Sequence, residues 1–301
     1  MTRSRFFFAL WLSFGGLMSC APSQMVVQAP PIPEAAPVLV RPSRPVTPPP
    51  VVPVPGVLQP PQVTAASALL IDAITGQILF EKNSKERRAV ASTQKLLTAL
   101  VVAQDGPLSD PVTVKLSDTQ VVPSKLYLKP GETYPRSELV KALLVKSGND
   151  IALALARDVA GSQEGFVARM NATAQQLGMR NSLFKNPHGL TESGQYSTAE
   201  DLAILARAVR RHAFLRESMK VKKYTFQYPG GATREIENTN DVLHDYPFCT
   251  GMKTGTTRAS GKCLVSSAVK GSRQVIAVVL GSAEPTVWKE TEALLKFGLA
   301  L

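Results

Sequence analysis

The sequence predicts an α+β chain, with one antiparallel sheet assembled from strands at both ends of the folded part and helices between them. Three observations carry this. Two short alternating apolar runs, 68–72 and 77–80, follow a proline-rich stretch. Two more β-like runs, 263–268 and 274–280, lie near the end. Between them the apolar residues of several segments recur at helical spacing.

In chain order, the first element is a leader. Met1-Thr-Arg-Ser-Arg5 carries two positive charges, and the apolar run 6–18 behind it is too short to span a bilayer comfortably. This is the plan of a secretory signal, and it ends at Leu17-Met-Ser-Cys20. A Leu three residues before a Cys, with a small residue between, resembles a lipoprotein lipobox, which implies signal 1–19 and a lipid on Cys20. An ordinary signal peptide with a chance cysteine is the alternative. Residues 20–63 form the second element and hold more than half of the chain's 23 prolines. Such a stretch favours extended polyproline II over a packed core. At about 3.1 Å per residue it spans on the order of 100 Å.

Residues 64–301 are the right size for one domain. Thr75-Gly76 separates the first two runs, which reads as a hairpin. Ser92 stands where a helix is expected to begin, since 93–103 are mostly good helix formers. Helices are expected over 137–146, 150–159 and 165–177, and Ser197-Thr-Ala-Glu200 reads as a capping box opening a helix towards Val209. An amphipathic helix over 285–297 closes the chain.

The net charge of +11 is scattered through Arg87-Arg88, Arg210-Arg211 and Lys220, Lys222 and Lys223, with no interleaved aromatics and no nucleic-acid motif. It reads as a basic surface, with attraction to anionic envelope polymers as the weaker reading. Two cysteines besides Cys20, at 249 and 263, could pair in an oxidising compartment, but separation in sequence leaves the geometry open. No metal-ligand spacing is present among the cysteines and three histidines.

Three short motifs carry chemistry. In Ala91-Ser-Thr-Gln-Lys95, Ser92 and Lys95 are three residues apart, so on a helix they share a face. A lysine in a partly desolvated cleft loses its proton more readily and can activate a hydroxyl. The helix N-terminus adds positive potential for an oxyanion. Alone, a Ser at a helix start is usually just an N-cap. The second motif is Ser147-Gly-Asn149 in Lys146-Ser-Gly-Asn-Asp150, between two expected helices, and the third is Lys253-Thr-Gly255 ahead of the strand at 263. Each is weak by itself. Their occurrence in the order SxxK, SxN, KTG is specific.

With these motifs the chain resembles the low-molecular-mass penicillin-binding proteins, the serine D-alanyl-D-alanine carboxypeptidases and their endopeptidase relatives. The likeness covers nearly all of 64–301. It extends to Leu128-Lys-Pro-Gly131, Ser147-Gly-Asn-Asp-Ile-Ala152, Ala160-Gly-Ser-Gln163, His188-Gly-Leu190, Gly194-Gln-Tyr-Ser-Thr-Ala199 and Asn238-Thr-Asn240. The resemblance implies a sheet with helices on both faces, a mostly helical lobe, and a cleft between them. It implies Ser92 as nucleophile towards D-Ala-D-Ala, Lys95 as general base, and Ser147 with Lys253 as a hydrogen-bonded path returning a proton to the leaving D-Ala. Asn149 would position Lys95 and the substrate. Lys253, Thr254, Gly255, Thr256 and Thr257 would bind the substrate, with Lys253, Thr254 and Thr256 or Thr257 at its terminal carboxylate. The N–H groups of Ser92 and Thr256 would form the oxyanion hole. No metal or organic cofactor is implied. The partners implied are peptidoglycan stem peptides, β-lactams and, through the Cys20 lipid, a membrane. Ala21 after the cysteine, by resemblance to lipoprotein sorting, favours an outer membrane where the cell has one.

Many such carboxypeptidases continue into a β-rich domain and an amphipathic membrane-binding helix. Here the sequence ends at Leu301, as in the shorter endopeptidase relatives, so both activities stay open. Thr256 occupies a position that varies, which leaves preference near the carboxylate open. A class A β-lactamase would need a Glu in an E-x-x-L-N stretch about 35 residues after Ser147. Arg180-Asn-Ser-Leu-Phe-Lys-Asn186 contains no acid there. A non-catalytic wall-binding lipoprotein is the reading from another class, and the filled motif positions argue against it. His188 after Pro187 reads as structural rather than as a base.

Overall fold

The computed structural model describes residues 58–301. The leader, Cys20 and residues up to 57 of the proline-rich stretch lie outside the described residues.

The opening hairpin pairs β1 (Ser67–Asp72) with β2 (Ile78–Lys82). Asp72 turns it: its Oδ1 accepts the N–H groups of Ile74 at 2.9 Å and Thr75 at 2.8 Å, the local bonding that makes Asp a turn residue. A short 3-10 turn, Ala91–Gln94, runs into α1 (Lys95–Asp105). The lobe continues through β3 (Pro111–Thr113), α2 (Leu116–Thr119), β4 (Thr133–Pro135), α3 (Arg136–Lys146), α4 (Asn149–Ala160) and α5 (Gln163–Leu177). Then come α6 (Ala199–Arg211), α7 (Ala213–Met219), the β5 (Lys223–Gln227) and β6 (Thr233–Glu237) pair, and α8 (Asp241–Asp245). The chain closes with β7 (Cys249–Thr257), β8 (Gly261–Lys270), β9 (Arg273–Ser282) and α9 (Thr286–Ala300).

The expected antiparallel sheet is present, with strand order β2-β1-β9-β8-β7. Its two-residue alternation divides the interior in two. Leu69, Ile71, Cys263, Val265, Ile276, Val278 and Leu280 face the helical lobe. Leu70, Leu264, Ala268, Val275, Ala277 and Val279 face the layer of α8 and α9, meeting Val242, Val287, Leu294 and Leu295. At about 25 cal/mol per Å² of buried apolar area, both layers contribute to holding the sheet. The carboxylate of Glu290 in α9 accepts the N–H and hydroxyl of Thr64 and the N–H of Ala65 at 3.2 Å, tying the strand entry to the last helix.

Two details differ from expectation, and a third settles a question that was left open. Ser92 is not an N-cap; it lies inside the 3-10 turn, and no side chain caps that turn. The cap of α6 is Thr198, accepting from Asp201 N at 3.0 Å, because Ser197 is held extended by an antiparallel bridge to Arg88. Cys249 and Cys263 are both free and buried, and belong to the cores on opposite faces of the sheet. Among the described residues no helix is long and apolar enough to cross a membrane.

Candidate active site

The site lies along β7, a margin of the sheet, where that strand passes the 3-10 turn. Two glycines make the approach close. A Cβ on Gly255 would stand 2.8 Å from Ser92 N and 3.0 Å from Ala91 Cβ. One on Gly189, whose φ is +88°, would stand 2.2 Å from Ala91 O. The turn is thus gripped between β7 and the His188-Gly-Leu190 loop.

Backbone strain marks all three motifs. Ala91 has φ +48°, Ser147 has φ +68° as it ends α3, and Met252 has φ +127° just before Lys253. Each such non-glycine conformation costs about 1–3 kcal/mol and persists only where the surroundings enforce it. Here they aim the Ser92 turn, the Ser147 corner and Lys253.

Lys95 is fully buried, and its Nζ donates to Ser92 Oγ at 3.0 Å, Asn149 Oδ1 at 2.6 Å, Ser147 O at 2.9 Å and Ser147 Oγ at 3.3 Å. Burial holds the Lys95 amine well below the usual lysine range; the charge of Lys253 adds to this and Asp150 opposes it. Ser92 Oγ also donates to His188 O at 3.2 Å. His188 itself is neutral at pH 7, brought down to about 4 by burial and then by the Lys95 charge. Its Nδ1 accepts Leu190 N at 3.2 Å, so the ring braces its own loop.

Asn149 is fixed at both ends, since its Nδ2 donates to Val122 O at 2.9 Å and its backbone N–H to Ser124 O at 2.7 Å. Asp150 completes the corner. Its carboxylate accepts the N–H groups of Leu126 at 3.2 Å, Tyr127 at 2.8 Å, Leu128 at 3.3 Å and Ile151 at 3.0 Å. On the strand side, burial brings Lys253 down to about 7, and its Nζ donates to Thr254 O at 3.1 Å. Thr254 Oγ1 lies 2.5 Å from Thr239 Oγ1.

The space enclosed is about 290 Å³. Ser92, Ser147, Asn149, Thr254, Gly255, Thr256 and Thr257 line it, together with Lys146, Lys262 and Trp288. No carboxylate lines it among the described residues. Of the residues expected from sequence, Lys95 sits beneath the cleft on Ser92, and Lys253 stands on β7 with its side chain buried. Of the hydrogen-bonded path expected through Ser147 and Lys253, no direct bond between the two is made among the described residues: Ser147 Oγ meets Lys95.

Residues 56–284 match the family model described as D-alanyl-D-alanine carboxypeptidase. The chain belongs to this family. It is 38% identical over 232 residues to the D-alanyl-D-alanine carboxypeptidase DacF of Bacillus subtilis, covering 73% of this chain and 58% of that protein. The chain therefore spans less than two thirds of that relative's length. The crystal structure of a D-alanyl-D-alanine carboxypeptidase from Mycobacterium tuberculosis superposes with a TM-score of 0.77 at 32% identity, covering 83% of this chain and 96% of that one. A Streptomyces DD-transpeptidase gives 0.77 at 29% identity, covering 81% and 100%.

For this carboxypeptidase-family member, sequence reasoning gave no role to Asp150, Gly189, Thr239 or Lys262. Asp150 and Gly189 lie inside stretches that carried the resemblance, Ser147–Ala152 and His188–Leu190, which was the available signal. Thr239 had the same signal, in Asn238-Thr-Asn240, and Lys262 had none beyond proximity to a motif.

Proposed function

We propose that the chain is a serine D,D-carboxypeptidase that removes the terminal D-Ala from peptidoglycan stem pentapeptides. One observation carries this: a desolvated lysine amine 3.0 Å from a serine hydroxyl that opens on the cleft. In its neutral form Lys95 accepts the Ser92 proton as Oγ bonds to the penultimate D-Ala carbonyl. The N–H groups of Ser92 and Thr256 hold the oxyanion, donors worth about 3 kcal/mol each. Asn149 and Ser147 hold Lys95 in place. As the C–N bond breaks, the proton passes from Lys95 through Ser147 to the leaving D-Ala amine, with Lys253 setting the local potential. Water, deprotonated by Lys95, then cleaves the Ser92 ester and frees the tetrapeptide. Thr254, Gly255, Thr256 and Thr257 align the substrate along β7.

The absence of a lining carboxylate among the described residues supports slow release of a penicilloyl ester, hence inhibition by β-lactams rather than their turnover. In the same proposal the chain works in the cell envelope. Residues 1–19 are removed, Cys20 carries lipid that anchors it to a membrane, the outer one where present, and 20–63 space the 64–301 domain from it.

Incubation with a pentapeptide and with a crosslinked dimeric muropeptide tests the activity. Free D-Ala from the first with the second intact is the expected result. The reverse pattern assigns an endopeptidase. Failure of Ser92 to take up labelled penicillin, while the fold is intact, overturns both in favour of a non-catalytic binder.

A further inference from the structure

The terminal carboxylate of a D-Ala-D-Ala substrate needs a cation, and the lysine that resemblance assigns to it is poorly suited. Lys253 is 1% exposed, its Nζ is committed to Thr254 O, and burial brings it down to about 7. Two other cations line the cleft among the described residues. Lys146 ends α3 beside Ser147, on the lobe wall. Lys262 stands on β8 directly across from Thr256 in the strand register, with Thr254 opposite Leu264. Cross-strand partners share a face of the sheet, and residues two apart on a strand do too. Lys262 therefore stands on the same side as the two threonines, the side of α8 and α9.

Lys262 is not free there. Its ammonium pairs with Glu284, in the connection from β9 to α9, and the Trp288 indole lies against the same carboxylate. Asp241 of α8 also feels both members of the pair. A surface ion pair of this kind ordinarily contributes little. This one differs in position, because Lys262 and Trp288 form part of the cleft wall and the Lys262 side chain is 29% exposed.

We propose that Lys262 receives the α-carboxylate of the leaving D-amino acid, which displaces Glu284 from it. Lys262 is thereby a specificity-determining residue, and Glu284 a competitor that keeps the ammonium in place in the empty cleft. Exchanging one carboxylate for another gains modest affinity but penalises a neutral C-terminus, which would meet a pair it cannot open. The proposal rests on the D,D-carboxypeptidase reading for the identity of the ligand, and its test separates the two.

Binding of a doubly acetylated L-Lys-D-Ala-D-Ala and of its C-terminal carboxamide is measured by NMR titration in a Ser92→Ala background, where no turnover occurs. The acid should bind about 10- to 100-fold more tightly than the amide, the range for a charged hydrogen bond. Adding Lys262→Met should bring that ratio close to one, Lys262→Arg should restore much of it, and Glu284→Gln should tighten acid binding while keeping the preference. A ratio unchanged by Lys262→Met in a folded variant overturns the assignment, as does absence of binding by either peptide. If the acid binds through Lys262 but wild-type chain releases no D-Ala, the assignment stands and the proposed activity falls.

Discussion

The two walls of the cleft each bury a lysine, and they hold it in opposite ways. On the lobe wall, Lys95 Nζ has four oxygen acceptors from Ser92, Ser147 and Asn149, and Asn149 is itself anchored to Val122 and Ser124. On the strand wall, Lys253 has a single hydrogen bond among the described residues, to the next residue's carbonyl. Both amines are disfavoured as cations by burial. The difference teaches that position and charge are tuned separately. Lys95 is held on several sides, and in the proposed mechanism it takes a proton from one of these oxygens. Lys253 acts as a nearby charge whose presence lowers the affinity of Lys95 for protons.

The strongest test of that contrast is chemical. Lys95→Met should slow acylation of Ser92 by penicillin about a thousandfold, the scale of a lost general base. Lys95→Arg should not restore it, since a guanidinium does not deprotonate. Stopped-flow or quenched labelling checks both, and near-normal acylation in either variant would break the assignment of the base.

Next in size is the grip on the Ser92 turn. Gly189→Ala places a methyl group on the Ala91 carbonyl at positive φ and should cost about 3 kcal/mol with a fall in acylation. Gly178→Ala is the control: its φ is +87° but nothing lies within 4 Å of the added carbon, so about 1 kcal/mol is expected and acylation should not change. Denaturant unfolding reads both.

A smaller effect separates the lysines by stability. A free lysine titrates near 10.4. Folded Lys253 titrates at about 7, so between these values the native state binds fewer protons than the unfolded one and stability rises with pH. Below about 7 both states are protonated and the burial penalty is full. Lys253→Met should therefore raise Tm by a few degrees at pH 6.5, with the gain shrinking towards pH 10. Lys95→Met should gain less, because it leaves Asn149 Oδ1 and the Ser147 carbonyl without their donor. Equal gains in the two variants would erase the contrast. The smallest expected effect is none: with Cys249 and Cys263 free on opposite faces of the sheet, reductant should leave Tm unchanged.

Much of the fold was legible because its periodicities are long and uninterrupted. The runs at 263–268 and 274–280 became the central parts of β8 and β9, and the helices over 137–146 and 150–159 became α3 and α4 within a residue or two. The β5–β6 pair was not foreseen; its Lys, Gln, Arg and Glu residues dilute the alternation, and each of its strands buries a single side chain. At the site, SxxK, SxN and KTG named the groups that line or underlie the cleft. They could not say that Ser147 would turn to Lys95 rather than Lys253, since that depends on the left-handed backbone at the end of α3. Nor does Asp150 announce from sequence that it gathers four backbone N–H groups, three of them from the 126–128 segment. That role exists only once the loop is folded beside α4.

The Glu290 clamp on Thr64 and Ala65 has a mechanical meaning. Tension arriving from the residues upstream would load the bond from Lys82 Nζ to Val63 O and this clamp, and through them β2, helix α9 and the start of β1. The Ser92 turn hangs instead from Gly189 and Gly255, away from that path. The domain could thus be dragged by its leading end while the spacing between hydroxyl and amine stays undisturbed.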